Sequence, residues 1–235
     1  MTALDRVHII GFCGPKQSGK DTAASFVRDI VVRDADSRDF QDSYISGTES
    51  FAGPMKSMVA MLLDFYNVGS IMDKSTLDPW LEGEFKETEV PGLGVSPRRL
   101  MQTLGTEWGR ELVHPDIWLN AMGIRLRAYE EMRKHGYKGA VTCVTDVRFD
   151  NECDLIHELG GKIIEITRPE FVYNPDHMSE AGVQRKNIDE VFSNAGSLQD
   201  LYDIVGTYLW DTLQIPVTID AEESVEDEPQ LAASA

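Results

Sequence analysis

Two stretches of the chain are apolar almost without interruption, Val7 to Cys13 and Ala140 to Thr145, and Lys162 to Thr167 reads as a further strand. Unbroken runs of that length predict strands buried on both faces, as in the middle of a parallel sheet. Between them the apolar residues return every three or four positions, the helical period. Ala23, Phe26, Val27, Ile30 and Val31 share one face of a helix expected over about 20–32. Met55, Met58, Val59, Leu62 and Leu63 repeat in the same way after Pro54, which suits a first helical turn. A further helix is expected from Ile117 to Met132, and another, capped by Asp150 or Asn151, ends at Gly160-Gly161. A weak strand is expected within 44–51 and a short one over Ile188 to Phe192, followed by a helix that Ser197 caps and that ends near Leu213. Strands alternating with helices predict an α/β fold: a three-layer parallel sheet with helices on both faces.

Two segments break the rhythm. Residues 67–97 are charged and punctuated by Gly and Pro, and read as an irregular insertion over the sheet edge. Residues 97–112, taken as a helix, carry an apolar stripe of Leu100, Leu104, Trp108 and Leu112. A polar stripe of Arg98, Gln102, Thr106 and Arg110 lies beside it. Gly105 and Gly109 form a third stripe, and each weakens a helix interior by about 1 kcal/mol. Such a pair implies that something approaches the backbone closely.

A chain of 235 residues suits one sizeable domain, expected over 1–215. Residues 216–235 hold six acids and no Lys or Arg, a self-repelling tail expected to be disordered. The net charge of −18 argues against polymeric nucleic acid as a partner. No run approaches the roughly 18 apolar residues of a membrane helix, and the first strand begins at once, so neither membrane nor signal peptide is expected. The three cysteines, Cys13, Cys143 and Cys153, read as reduced, buried residues of a cytoplasmic protein.

Charge this acidic makes the positions of the few bases informative. Gly14, Gly19 and Lys20 fit the G-x-x-x-x-G-K spine of a phosphate-binding loop between a strand and a helix. Glycines let successive backbone N–H groups converge on an anion, and the helix that follows adds the positive end of its dipole. Asp21 stands where many such loops carry a Ser or Thr for Mg²⁺, with Thr22 next; a carboxylate can also hold that ion. In an open parallel sheet, ligands lie beyond the carboxyl ends of the strands. There Asp146, Arg148 and Arg168 would share a cleft with Lys20. Asp146 either holds Mg²⁺ through water or caps the following helix. The five histidines show no metal spacing, and no nucleophile–base pair is apparent. That fits phosphoryl transfer to an acceptor that is already an anionic phosphate oxygen and needs no general base.

The chain resembles the bacteriophage deoxynucleoside monophosphate kinases, a branch of the P-loop nucleoside monophosphate kinase fold. The stretches that carry the likeness are Ser18 to Thr22, Ala52 to Lys56, Arg98 to Thr106, Pro115 to Trp118 and Thr145 to Arg148. Gly160-Gly161, Arg168-Pro169, His177 to Gly182 and Asn194 to Leu198 continue it. The resemblance implies ATP and Mg²⁺ as cofactors and a deoxynucleoside monophosphate as acceptor. It implies Lys20, Arg148 and Arg185 as catalytic, and Gln17, Ser18, Gly19, Lys20, Asp21 and Thr22 as binding ATP phosphates. Lys16, Lys56, Arg98, Arg99, Gln102, Thr106, Trp108, Arg110, Trp118 and Asp146 would bind the acceptor within a helical region over 54–132. Residues 170–187 would form a lid, with Arg168, His177 and Glu180 serving the lid or the adenine, and Asp21 and Asp146 would serve the metal, directly or via water. Location in a host cytoplasm follows; monomer and homodimer both stay open. Two rivals are a P-loop kinase of another small metabolite, such as dephospho-coenzyme A, and a P-loop ATPase module. The first would normally place its Asp and Arg nearer the second strand, and the second would want an acid where Val147 stands.

Overall fold

The computed structural model describes residues 6–36, 43–168 and 183–215. Five parallel strands, β1 (Val7–Cys13), β2 (Tyr44–Glu49), β3 (Gly139–Val144), β4 (Lys162–Thr167) and β5 (Glu190–Ser193), lie in the order β2-β3-β1-β4-β5. The two apolar runs, β1 and β3, thus take central places in the sheet, flanked by β4, whose Ile163, Ile164 and Ile166 are buried. Successive residues of one strand serve opposite faces. Ile10 and Phe12 pack with α1 (Lys20–Asp36) and α7 (Leu198–Thr207), through Ala23, Val27, Ile30, Leu201 and Val205. Ile9 and Cys13 face α5 (Ile117–Arg133) and α6 (Asp150–Glu158), through Met122, Leu126, Cys153 and Ile156. Two layers of helices on one sheet is the α/β architecture expected. All three cysteines are buried and unpaired, and no described helix is long and apolar enough to cross a membrane.

The excursion between β2 and β3 has a small core of its own. Val59 and Leu63 of α2 (Gly53–Phe65) close on Leu77 of α3 (Lys74–Leu81) and on Val90. Residues 67–97 are therefore more ordered than their punctuation suggests: Asp73 caps α3 by accepting from Ser75 N, and Leu77 seals it.

The segment 97–112 is not one α-helix. α4 (Pro97–Gln102) passes into a π-helical stretch, Thr103–Val113, which closes with His114 N donating to Gly109 O, five residues back. Stripes drawn at i+4 therefore drift apart after Gln102. The close approach inferred from the glycines is present, but the visitors are the protein's own side chains. A Cβ on Gly105 would lie 2.8 Å from Met55 Sδ, and one on Gly109 would lie 2.7 Å from Trp118 Cζ2. Trp118 Nε1 donates to Gly105 O at 2.8 Å and locks the wide turn to α5.

Candidate active site

The loop after β1 is held in shape by backbone conformations that few residues adopt. Gly14, Gln17 and Gly19 have φ of +125°, +64° and +104°. A side chain on Gly14 would overlap the carbonyl oxygen of Ile166 on the neighbouring strand, so only glycine fits there. Asn194 Nδ2, at the end of β5, donates to Ser18 O at 2.8 Å and ties the loop from the other side. The N–H groups of Lys20, Asp21 and Thr22 open α1 and have no acceptor within the helix. Ser18 is fully buried, and its Oγ has no hydrogen-bond partner. An oxyanion cradled here would satisfy these donors and sit on the positive end of α1.

Lys20 curls back over this loop, donating to Gly14 O at 2.9 Å and Pro15 O at 2.5 Å. Its pKa is lowered, chiefly by burial; Asp21 opposes the shift, Arg148 adds to it, and Asp146 opposes it. Val147 N donates to Phe12 O at 3.2 Å, which ties the turn after β3 to the end of β1. β1 and β3 are neighbours in the sheet, so the loop after one and the Asp146–Arg148 turn after the other emerge side by side.

Asp146 does not cap α6. Its two carboxylate oxygens accept from Phe51 N at 2.7 Å and Ala52 N at 3.0 Å, fixing the turn that opens α2. The expected cap at Asp150 or Asn151 is also corrected, since Phe149 is the N-cap residue of α6. Asp150 turns away to accept from Gln184 N, Gln184 Nε2 and Asn187 Nδ2. The acid at the start of α6 that matters is Glu152, which the residue reading passed over. Only 4% exposed, it accepts from Arg148 N at 2.8 Å and Phe149 N at 3.2 Å. Burial raises its carboxyl to about 7, with the Asp146 charge pushing the same way and Arg110 opposing. An acid three residues after the N-cap, inside the buried face of Cys153, Leu155 and Ile156, was the available signal.

Arg110 reaches the same turn. Its guanidinium lies 5.1 Å from the centroid of the Phe149 ring, and it is close enough to bias Glu152. Arg110 thus borders the Asp146–Arg148 turn, which lies beside the Lys20 loop at the carboxyl end of the sheet. The other proposed cations are held elsewhere. Lys56 pairs with Glu82, which also takes Lys86 at 3.3 Å, and Arg98 pairs with Glu87. Arg99 pairs with Glu107 at 3.0 Å, and Arg185 with Glu165 at 3.2 Å. Lys16, Gln17, Gln102 and Thr106 are exposed, as is Arg168 at the end of β4. Trp108 is 38% exposed beside buried Trp118, with ring centroids 6.4 Å apart. His177 and Glu180 lie outside the described residues, as does the acidic tail.

Next to the Asp146 turn is a cleft of about 300 Å³, lined by Glu49, Phe51, Pro54, Ser57, Trp118, Met122 and Arg125 among others. Phe51, Trp118 and Met122 give it apolar walls suited to a flat ring.

Residues 85–205 match the family described as deoxynucleotide monophosphate kinase. The chain is 30% identical over 203 residues to a protein of Acanthamoeba polyphaga mimivirus that bears the deoxynucleotide monophosphate kinase name, covering 83% of this chain and 92% of that one. It is 27% identical over 236 residues to the deoxynucleoside-5'-monophosphate kinase of Escherichia phage T5, covering 79% and 89%. A shorter match, 33% over 107 residues, links it to the deoxynucleotide monophosphate kinase of Enterobacteria phage T4, covering 46% and 42%.

Proposed function

The chain belongs to the deoxynucleotide monophosphate kinase family, and from that premise we propose that it transfers a phosphoryl group from ATP to deoxynucleoside monophosphates, giving the diphosphates used in DNA precursor synthesis. The observation that carries this reading is the glycine-held loop after β1 lying beside the Asp146–Arg148 turn after the neighbouring β3. ATP phosphates lie against Gln17, Ser18, Gly19, Lys20, Asp21 and Thr22. Lys20 exchanges its two loop carbonyls for phosphate oxygens, whose negative charge favours the ammonium that burial disfavours.

The acceptor enters over α2, its base in the cleft between Phe51 and Trp118 and its phosphate toward Arg148 and Arg110. One of its anionic oxygens attacks the γ-phosphorus, the bond to the β–γ bridging oxygen breaks, and ADP leaves with that electron pair. No protein base is required. The work of the site is in-line placement and neutralisation of charge, where one arginine is worth about 10³–10⁵ in rate. Arg185 would take part only on leaving Glu165; residues 170–182 of the expected lid lie outside the described residues.

Mg²⁺ fits this donor set. Asp21 and Thr22 stand at the first turn of α1, and magnesium commonly takes one or two carboxylates together with substrate phosphates and water. Asp146, with both oxygens engaged by backbone N–H groups, would reach such an ion through water. When bound, Mg²⁺ neutralises charge on the phosphates.

The test is ADP release from ATP–Mg²⁺ with each of the four deoxynucleoside monophosphates. Release is expected to depend on the acceptor. Equal release with and without acceptor would favour the ATPase reading. Turnover of dephospho-coenzyme A alone would favour another small-metabolite kinase.

A further inference from the structure

The cleft between α2 and α5 ends in a charged array that the phosphate chemistry does not use. Glu49 is the last residue of β2, at the strand's ligand-facing end, and its side chain is only 12% exposed. It accepts from Arg125 Nη2 at 2.9 Å, Arg125 Nε at 3.2 Å and the Tyr129 hydroxyl at 3.1 Å. Tyr129 itself is buried, and its hydroxyl occupies space that a side chain at residue 47 would fill; residue 47 is glycine. Gly47, Tyr129, Glu49 and Arg125 therefore form a supported series running from the core to the surface. Its last member is a guanidinium that is 66% exposed but fixed in direction by two bonds to one carboxylate. Arg125 Nη1 has no partner among the described residues.

The position of this array is set by the sheet. Glu49 pairs in register with Val144 of β3, and β3 pairs with β1, so the array lies two strand spacings, roughly 10 Å, from the phosphate loop. Phe51, whose N–H is bound by Asp146, lines the cleft between the two. A nucleoside monophosphate whose phosphate faces Lys20 and Arg148 then lays its base along Phe51 and Trp118, with its outer edge at Arg125.

We propose that Arg125, oriented by Glu49 and Tyr129, reads the edge of the acceptor base and selects guanine over adenine. The chemistry is directional. With Nε and one Nη2 hydrogen committed to Glu49, the guanidinium presents Nη1 and the remaining Nη2 hydrogen as a pair of parallel donors. Guanine offers O6 and N7 as two adjacent acceptors, whereas adenine presents an amino donor in place of O6. Thymine offers one acceptor, O4, and cytosine presents a donor. A bidentate contact of this kind separates the right base from the wrong one by about tenfold to a hundredfold.

This inference rests on the kinase reading, and one set of steady-state kinetics on the full chain distinguishes the two. The wild type is expected to show kcat/KM for dGMP at least about tenfold above that for dAMP, with dTMP between them. Arg125→Ala should collapse that ratio toward one, by raising the KM for dGMP and leaving the KM for ATP unmoved. Tyr129→Phe, which removes the support but leaves the guanidinium, should reduce the ratio by a smaller factor. Because Arg125 is mostly exposed, its replacement leaves the core intact, and an unchanged melting curve for the alanine variant checks this. No wild-type preference for dGMP, or a loss shared equally by all four acceptors, would overturn the base-reading role while leaving the kinase reading in place. A wild type that turns over none of the four would remove both.

Discussion

The two sides of this site are built from different materials. The proposed donor side is backbone: a loop whose shape is set by Gly14, Gln17 and Gly19 at positive φ and by Asn194 bound to Ser18 O. Contacts within the protein are enough to set its shape. The proposed acceptor side draws on side chains of α2, α4, the π-helical turn and α5, and in this structure the cations expected there lie paired with nearby acids. Lys56 and Lys86 share Glu82, Arg98 has Glu87, and Arg99 has Glu107. An anion joining the donor side finds donors waiting, whereas one joining the acceptor side must displace carboxylates. Exposed pairs of this kind contribute only about 0–1 kcal/mol each, so the displacement is readily reversible.

The contrast predicts where substitutions bite hardest. Lys20→Ala removes the lysine that curls over the loop and should lower kcat by roughly 10²–10³ or more, measured as acceptor-dependent ADP release. Near-normal turnover would mean the loop is not the donor site. An intermediate effect belongs to Glu152, which joins the two sides by holding the Arg148 turn. Its carboxyl rises from 4.5 to about 7, so its contribution favours the fold below about pH 4.5 and is lost as pH climbs through about 7. At 1.36 kcal/mol per unit this amounts to about 3 kcal/mol. Denaturant unfolding at pH 5 and pH 8 should show the wild type losing stability across that window and Glu152→Gln losing less. Parallel curves for the two proteins would show that Glu152 carries no such shift. The smallest effect belongs to the side-chain half. Glu82→Gln frees Lys56 and should lower the KM for the acceptor by about fivefold at most. An unchanged KM would take Lys56 out of the acceptor site.

The same division explains what could be read from the chain beforehand. Backbone-determined features have local signatures. The strands β1 and β3 appear as near-continuous apolar runs, and the loop appears as Gly14, Gly19 and Lys20 at fixed spacing. Side-chain pairings between distant residues have none. Nothing near Glu49 points to Arg125, 76 positions later, and nothing near Asp146 announces that its oxygens hold the N–H groups of Phe51 and Ala52. The polar stripe through Arg98, Gln102, Thr106 and Arg110 assumed 3.6 residues per turn. The wide turn from Thr103 to Val113 redirects Arg110 onto Phe149 while Arg98 stays with Glu87. Tertiary packing of Met55 against Gly105 and of Trp118 against Gly109 set that turn, and glycine spacing alone shows only that something lies close.

The central claim is that the preformed loop and the side-chain cleft face each other closely enough to pass a phosphoryl group directly between two nucleotides. Phosphorus-31 NMR of the same ATP–Mg²⁺ and dNMP mixture tests this most directly. ADP and deoxynucleoside diphosphate should appear in equal amounts, with no matching growth of inorganic phosphate. ADP accompanied by inorganic phosphate, and no diphosphate of the acceptor, would contradict it.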